Sequence, residues 1–119
     1  RAQKVQKRAA KVGFDWDDVA GVIDKVREEI AELENELPAN DPDKVADELG
    51  DLFFSLVNLA RHLHVDAETS LRNATSKFER RFGVMVDLIF SCGESIAELS
   101  QVELDHYWNR AKALLKNPE

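Results

Sequence analysis

Apolar residues recur every three to four positions along most of this 119-residue chain, and strand-like alternation is nearly absent. A first helical stripe runs through Ala2, Val5, Ala9 and Val12 and stops naturally at Gly13. Asp15 is the predicted N-cap of a second helix. That helix reaches about Leu37 on the stripe Val19, Val22, Ile23, Val26, Ile30, Leu33 and Leu37. Pro38 to Asp43 reads as a loop. The third helix, from about Lys44 to His64, is apolar over most of its circumference and is expected at the centre of the core. Asp66 caps a fourth helix carrying Leu71, Ala74, Phe78, Phe82, Met85 and Leu88, which breaks at Ser91-Cys92-Gly93. Ser100 and Glu103 form a capping box before a last helix with Tyr107, Trp108, Ala111 and Leu115. The expected fold is an all-α helical bundle of about five helices. The short loop favours a central antiparallel hairpin of the second and third helices.

Length suits one domain, residues 1–119, and a hydrophobic fraction of 44% supports a core. At this size the core is modest, so self-association as a homodimer or larger assembly is expected. No apolar run is long enough to span a bilayer, so no membrane partner is expected. The single cysteine, Cys92, excludes an internal disulfide framework and a Cys-rich zinc site, and suits a cytoplasmic setting. A net charge of −7 argues against nucleic-acid binding. The charge is segregated: Arg1 to Lys11 carries only positive groups, Asp15 to Asp51 is densely acidic, and Arg72 to Arg81 is basic again. Such a pairing suits a protein that handles a polyanion through a divalent cation. Arg1, not Met, opens the chain, which raises the expectation of a fragment of a longer protein.

The acids carry the candidate chemistry. Glu29 and Glu32 lie three apart on the second helix, as do Glu48 and Asp51 on the third, so each pair shares a side. Facing pairs would offer up to four hard oxygen ligands, which suits Mg²⁺, with Mn²⁺ as a substitute. On a helical wheel Glu29 and Glu32 fall on one flank of the apolar stripe, with Glu36 beyond them as an outer-shell acid, while Glu28 points nearly opposite the stripe. Glu48, Asp51, Ser55, Asn58 and His62 form one polar line on an otherwise apolar helix. Either that line is a solvated face or it lines a metal cleft, because buried carboxylates must find partners. Asn73, Lys77 and Arg81, spaced four apart, make a polar column on the fourth helix that reads by itself as a solvated basic face. Phe78 and Phe82, on the neighbouring stripe, are expected in the core.

Glu28-Glu29-x-x-Glu32 followed by Glu48-x-x-Asp51 resembles the signature of the all-α nucleotide pyrophosphohydrolases. Further stretches resemble the MazG family within that group. These are Val12-Gly13-Phe14-Asp15-Trp16, Lys25 to Ile30, Gly50 to Phe53 with Val57 to Arg61, and Asn73-x-x-x-Lys77-Phe78-x-Arg80-Arg81-Phe82. The resemblance covers nearly the whole chain and is closest to the second, catalytic unit of the two that such proteins often carry in tandem. It implies hydrolysis of nucleoside triphosphates to monophosphates and pyrophosphate with Mg²⁺, with broad specificity and a housecleaning role in the nucleotide pool. On matching positions it implies Glu29, Glu32, Glu48 and Asp51 as metal ligands, with Glu28 or Glu32 as base. Lys77 and Arg81 would contact phosphates and assist catalysis. Trp108 and Lys112 would be a further substrate-contacting pair, with Asn73 in the matching block; read from the residues alone, Trp108 is core, interface or base-stacking platform, and Asn58 either satisfies a buried neighbour or binds the substrate. The alternatives are a narrower pyrimidine nucleotide pyrophosphatase and a catalytically silent helical module for dimerisation or regulation.

Overall fold

A computed structural model describes residues 1–116 of the chain, and these are all-helical. Five α-helices occur among them: α1 (Ala2–Lys11), α2 (Val19–Glu36), α3 (Pro42–His62), α4 (Ala67–Ser91) and α5 (Gln101–Lys116). Short 3₁₀ turns at Leu37–Ala39 and Ile96–Glu98 complete the order, and no strand is present among the described residues. No helix is long and apolar enough to cross a membrane among the described residues.

Local chemistry sets the helix boundaries. At the end of α1, Gly13 takes a φ of 91° while its amide donates to Ala10 O and that of Phe14 to Ala9 O, a Schellman closure. The same motif ends α4 at Gly93 and ends α3 at His64, which holds a left-handed φ of 60° despite its side chain. Asp18, not Asp15, caps α2, accepting from the Gly21 amide at 2.9 Å. Asp15 is drawn away by Arg61 and His62 of α3, described below. The third helix begins earlier than expected, because Asp41 accepts from the amides of Asp43 and Lys44 while Pro42 occupies the first turn. Asp66 receives the amides of Glu68 and Thr69. Ser100 and Glu103 exchange the two bonds of a capping box.

The chain divides into two compact units, Arg1–Ser70 and Leu71 onward. In the first, α2 packs against α3 and α1 lies on α3. Gln3 ties α1 to the turn after α3, donating to Val65 O at 2.9 Å and accepting from the Ala67 amide at 3.1 Å. Its buried residues are Gln6, Val22, Glu29, Ser55 and Asn58, so all but Val22 are polar. An interior of that composition depends on partnered polar groups rather than on apolar packing alone, since buried polar groups cost free energy unless partnered. The expectation that α3 sits at the centre of an apolar core is corrected accordingly. Leu49, Phe53, Phe54 and Leu56 are exposed, whereas of the polar line of α3 Ser55 and Asn58 are buried, Glu48 and His62 half-buried and Asp51 exposed. In the second unit Met85, Ile89, Tyr107 and Ala111 are buried against Val84, Leu88, Leu99, Leu104 and Trp108, a conventional core. Tyr107 donates from its hydroxyl to Glu94 at 2.7 Å, and its phenol also meets Cys92.

Candidate metal centre

Glu29 follows Val22 by two turns and Lys25 by one, so it shares their side of α2. Val22 is fully buried and carries Glu29 inward to 5% exposure. Lys25 Nζ lies 3.0 Å from Glu29 Oε1 and 3.4 Å from Glu28 Oε1. The acids raise the Lys25 pKa, the hydrogen bond to Glu29 contributing most. Glu28 itself is exposed.

On α3 the steps from Glu48 to Asp51, Ser55 and Asn58 keep one face toward α2. One carboxylate oxygen from each of Glu29, Glu48 and Asp51 lies within 4.8 Å of the other two. Glu32 lies beside the Glu48 carboxyl. Burial pushes the Glu48 pKa up, and the neighbouring acids Glu32, Asp51 and Glu29 push it further. Glu36 lies outside the three-carboxylate group. The covered oxygens Glu29 Oε2 and Glu48 Oε2 have no hydrogen-bond partner among the described residues. Bare, buried acceptors beside like charges are costly. A hard divalent cation would satisfy them, and an all-oxygen donor set suits Mg²⁺ or Mn²⁺ chemistry.

Glu29 and Asp51 also form part of the wall of a cavity of about 470 Å³. Gln6 of α1, Phe14 and Trp16 of the following loop, and Phe54 and Asn58 of α3 line it as well. Asp15 pins that loop: it accepts from Arg61 Nη2 at 2.6 Å and Nη1 at 2.9 Å, and meets His62 Nε2 at 2.9 Å. The Arg61 guanidinium, helped by His62 against the opposing effect of burial, holds the Asp15 carboxyl well below the usual range. Asn58 in turn accepts from Arg61.

The second unit carries the remaining expected positions. Asn73, Lys77 and Lys112 are exposed and Arg81 is half-buried. The Arg81 guanidinium lies 5.8 Å from the Trp108 ring centroid, and Phe78 packs 5.3 Å from the same ring on its own account. Phe78 and Phe82, expected in the core, are 57% and 41% exposed. They stack on each other at 6.1 Å, because the core of this unit forms farther along α4 around Met85 and Ile89. Sequence reading did not single out Gln6 or Phe54. For Gln6 a signal exists: it lies four residues from Ala2 and three from Ala9, within the apolar stripe of α1.

Comparison with known proteins follows the same residues. A family model described as the MazG nucleotide pyrophosphohydrolase domain matches residues 17–83. A nucleoside triphosphate pyrophosphohydrolase/pyrophosphatase MazG of Thermotoga maritima is 48% identical over 111 residues, covering 93% of this chain and 42% of that protein. A nucleoside triphosphate pyrophosphohydrolase of Escherichia coli K12 is 43% identical over 114 residues, covering 94% of this chain and 43% of its own. An uncharacterized protein YabN of Bacillus subtilis is 40% identical over 65 residues, 55% of this chain and 13% of that protein. The chain therefore spans about two-fifths of the length of the first two relatives.

Proposed function

The chain belongs to the MazG nucleotide pyrophosphohydrolase family, and from that membership we propose that it hydrolyses nucleoside triphosphates to nucleoside monophosphates and pyrophosphate. The observation that carries this reading is the group of Glu29, Glu48 and Asp51 oxygens, two of whose carboxylates hold buried, unpartnered atoms. Residues 1–119 act as one catalytic domain, broad in substrate, in a cytoplasmic housecleaning role. In this reading α2 and α3 run as an antiparallel hairpin. The short connection between the two helices and their packing on each other support that arrangement.

Glu29, Glu32, Glu48 and Asp51 would hold the divalent cation, and Mg²⁺ there would supply charge neutralisation of the triphosphate and a lowered pKa for the attacking water. Glu32 or the exposed Glu28 would accept the proton that water releases. Lys77 and Arg81 bind phosphate oxygens and stabilise the departing pyrophosphate, with Asn73 in the same column. Asn58, Trp108 and Lys112 contact the substrate. Self-association covers the exposed apolar residues of α3, Phe53 and Phe54 among them.

The test is pyrophosphate release from the common ribo- and deoxyribonucleoside triphosphates, with and without Mg²⁺, beside a Glu48→Ala control. Mg²⁺-dependent release from several bases, abolished in the control, is expected. A Glu48→Ala protein at full rate would sink the site assignment.

A further inference from the structure

We infer that a second cavity of the first unit, walled by Lys4 and Lys7 of α1 and by His64 after α3, binds a small inorganic polyphosphate anion such as pyrophosphate. None of the clustered carboxylates Glu29, Glu48 and Asp51 lines it, and the assignment does not depend on the hydrolase reading.

The hollow has a built frame. Its volume is about 530 Å³. Gln3, in its wall, clamps α1 to the segment after α3 by donating to Val65 O and accepting from the Ala67 amide. That clamp fixes the basic helix beside the turn at His64.

Charge gives the hollow its chemistry. Residues 1–14 carry five cations and no acid, in a chain of net charge −7. In the cavity wall Arg1, Lys4, Lys7 and Arg61 outnumber the acids Asp66 and Glu68. Asp66 is already engaged by the amides of Glu68 and Thr69. Arg61 is engaged as well: both of its Nη atoms bond Asp15, and one also bonds Asn58. Lys4 and Lys7 are exposed and have no ion-pair partner among the described residues. They lie three apart and so share a side of α1. A concave surface dominated by one sign of charge focuses its field and gathers counter-ions. An anion is therefore drawn to this hollow and away from the acidic helices α2 and α3.

The wall also narrows the class of anion. It holds no Phe, Tyr or Trp ring, unlike the cavity beside the carboxylates, so a nucleotide base finds no such platform there. Two flexible ammonium groups one turn apart suit two linked phosphoryl groups, each lysine acting as a compact point charge. His64 carries an N–H donor in either protonation state.

Isothermal titration of pyrophosphate with EDTA present tests the site. Without a divalent cation the carboxylates repel a polyanion, so only basic side chains can hold it. The proteins compared are the wild type, Lys4→Ala/Lys7→Ala, and Lys77→Ala as a control for the basic column of α4. Loss of both lysines should weaken pyrophosphate binding about tenfold or more, as expected for charge-assisted contacts. The Lys77→Ala protein should stay within about twofold of the wild type. Lys4 and Lys7 are exposed, so the double variant should keep the wild-type melting temperature. ADP, which offers the same diphosphate on a nucleoside, should bind no more tightly than pyrophosphate. No binding by the wild type, wild-type affinity in the double variant, or an equal loss in Lys77→Ala would overturn the site. An ADP affinity that exceeds that of pyrophosphate and falls in the double variant would overturn the inorganic assignment. The readout involves neither metal nor turnover, so it stands whether or not the chain hydrolyses triphosphates.

Discussion

Arg61 of α3 closes a two-pronged ion pair on Asp15 of the loop after α1, with Nη2 to Oδ1 at 2.6 Å and Nη1 to Oδ2 at 2.9 Å. The pair spans 46 residues of sequence and fixes a loop that would otherwise have few anchors. Both side chains are largely covered, which spares the pair much of the solvent screening that weakens surface bridges.

Replacing Asp15 by Asn should therefore cost about 1–2 kcal/mol at neutral pH, the range for a hydrogen bond to a charged group with partial exposure. The pH dependence follows from the depressed carboxyl. Its contribution is complete above the ordinary aspartate pKa of about 3.9 and is lost as pH falls through that value toward the folded one. Chemical denaturation across this acidic window should show the loss in the wild type and its absence in Asp15→Asn.

Glu48 should behave in the opposite sense. Its pKa is raised, so in metal-free protein the charged form is the unfavourable one, and stability falls as pH rises through the raised value. Glu48→Gln should consequently stabilise the metal-free protein at neutral pH while removing stabilisation by Mg²⁺. Wild type should gain about 2.7 kcal/mol at a Mg²⁺ concentration one hundred times Kd. Turnover of the variant should drop by more than about 100-fold, since even outer-shell changes cost 10- to 100-fold. Thermal melts with and without Mg²⁺ check the crossing, and a variant still stabilised by Mg²⁺ would contradict it.

Lys77 and Arg81 should separate function from stability. Lys77 is exposed, so Lys77→Ala should leave the melting temperature nearly unchanged while lowering kcat. Arg81 also lies over Trp108, so Arg81→Ala should lower both, with a stability cost of about 0.5–1 kcal/mol from the lost ring contact. Equal melting temperatures for the two variants would show that the Arg81 contact contributes nothing.

Tyr107 is the one tyrosine of the chain, which makes its titration directly visible in the ultraviolet. Its hydrogen bonds with Cys92 and Glu94, together with burial, push the phenol well above the ordinary tyrosine value. Ionisation should thus lag beyond about pH 10, and the bond's contribution to stability should persist below that pH and fade as pH climbs through the raised value. Tyr107→Phe should lower stability, measured by denaturation at neutral pH.

Much of this protein was legible in its residues. Helical periodicity, the capping box at Ser100 and Glu103, the stops at Gly13 and Gly93, and the shared faces of Glu29 with Glu32 and Glu48 with Asp51 are all short-range facts. They depend on 3.6 residues per turn and on backbone chemistry within a few positions. Family membership followed from the same motifs. What periodicity could not decide was which side of α3 turns inward. An apolar majority argued for Leu49, Phe53 and Leu56, yet Ser55 and Asn58 are the buried residues. Nor could local pattern show that Asp15 would leave the start of α2 for Arg61, or that Gln6 would meet Phe54 and join Glu29 at one cavity. These outcomes are pairings between residues tens of positions apart. They are set by how helices pack, where one strong cation or one unpartnered carboxylate can outweigh the average hydrophobicity of a face.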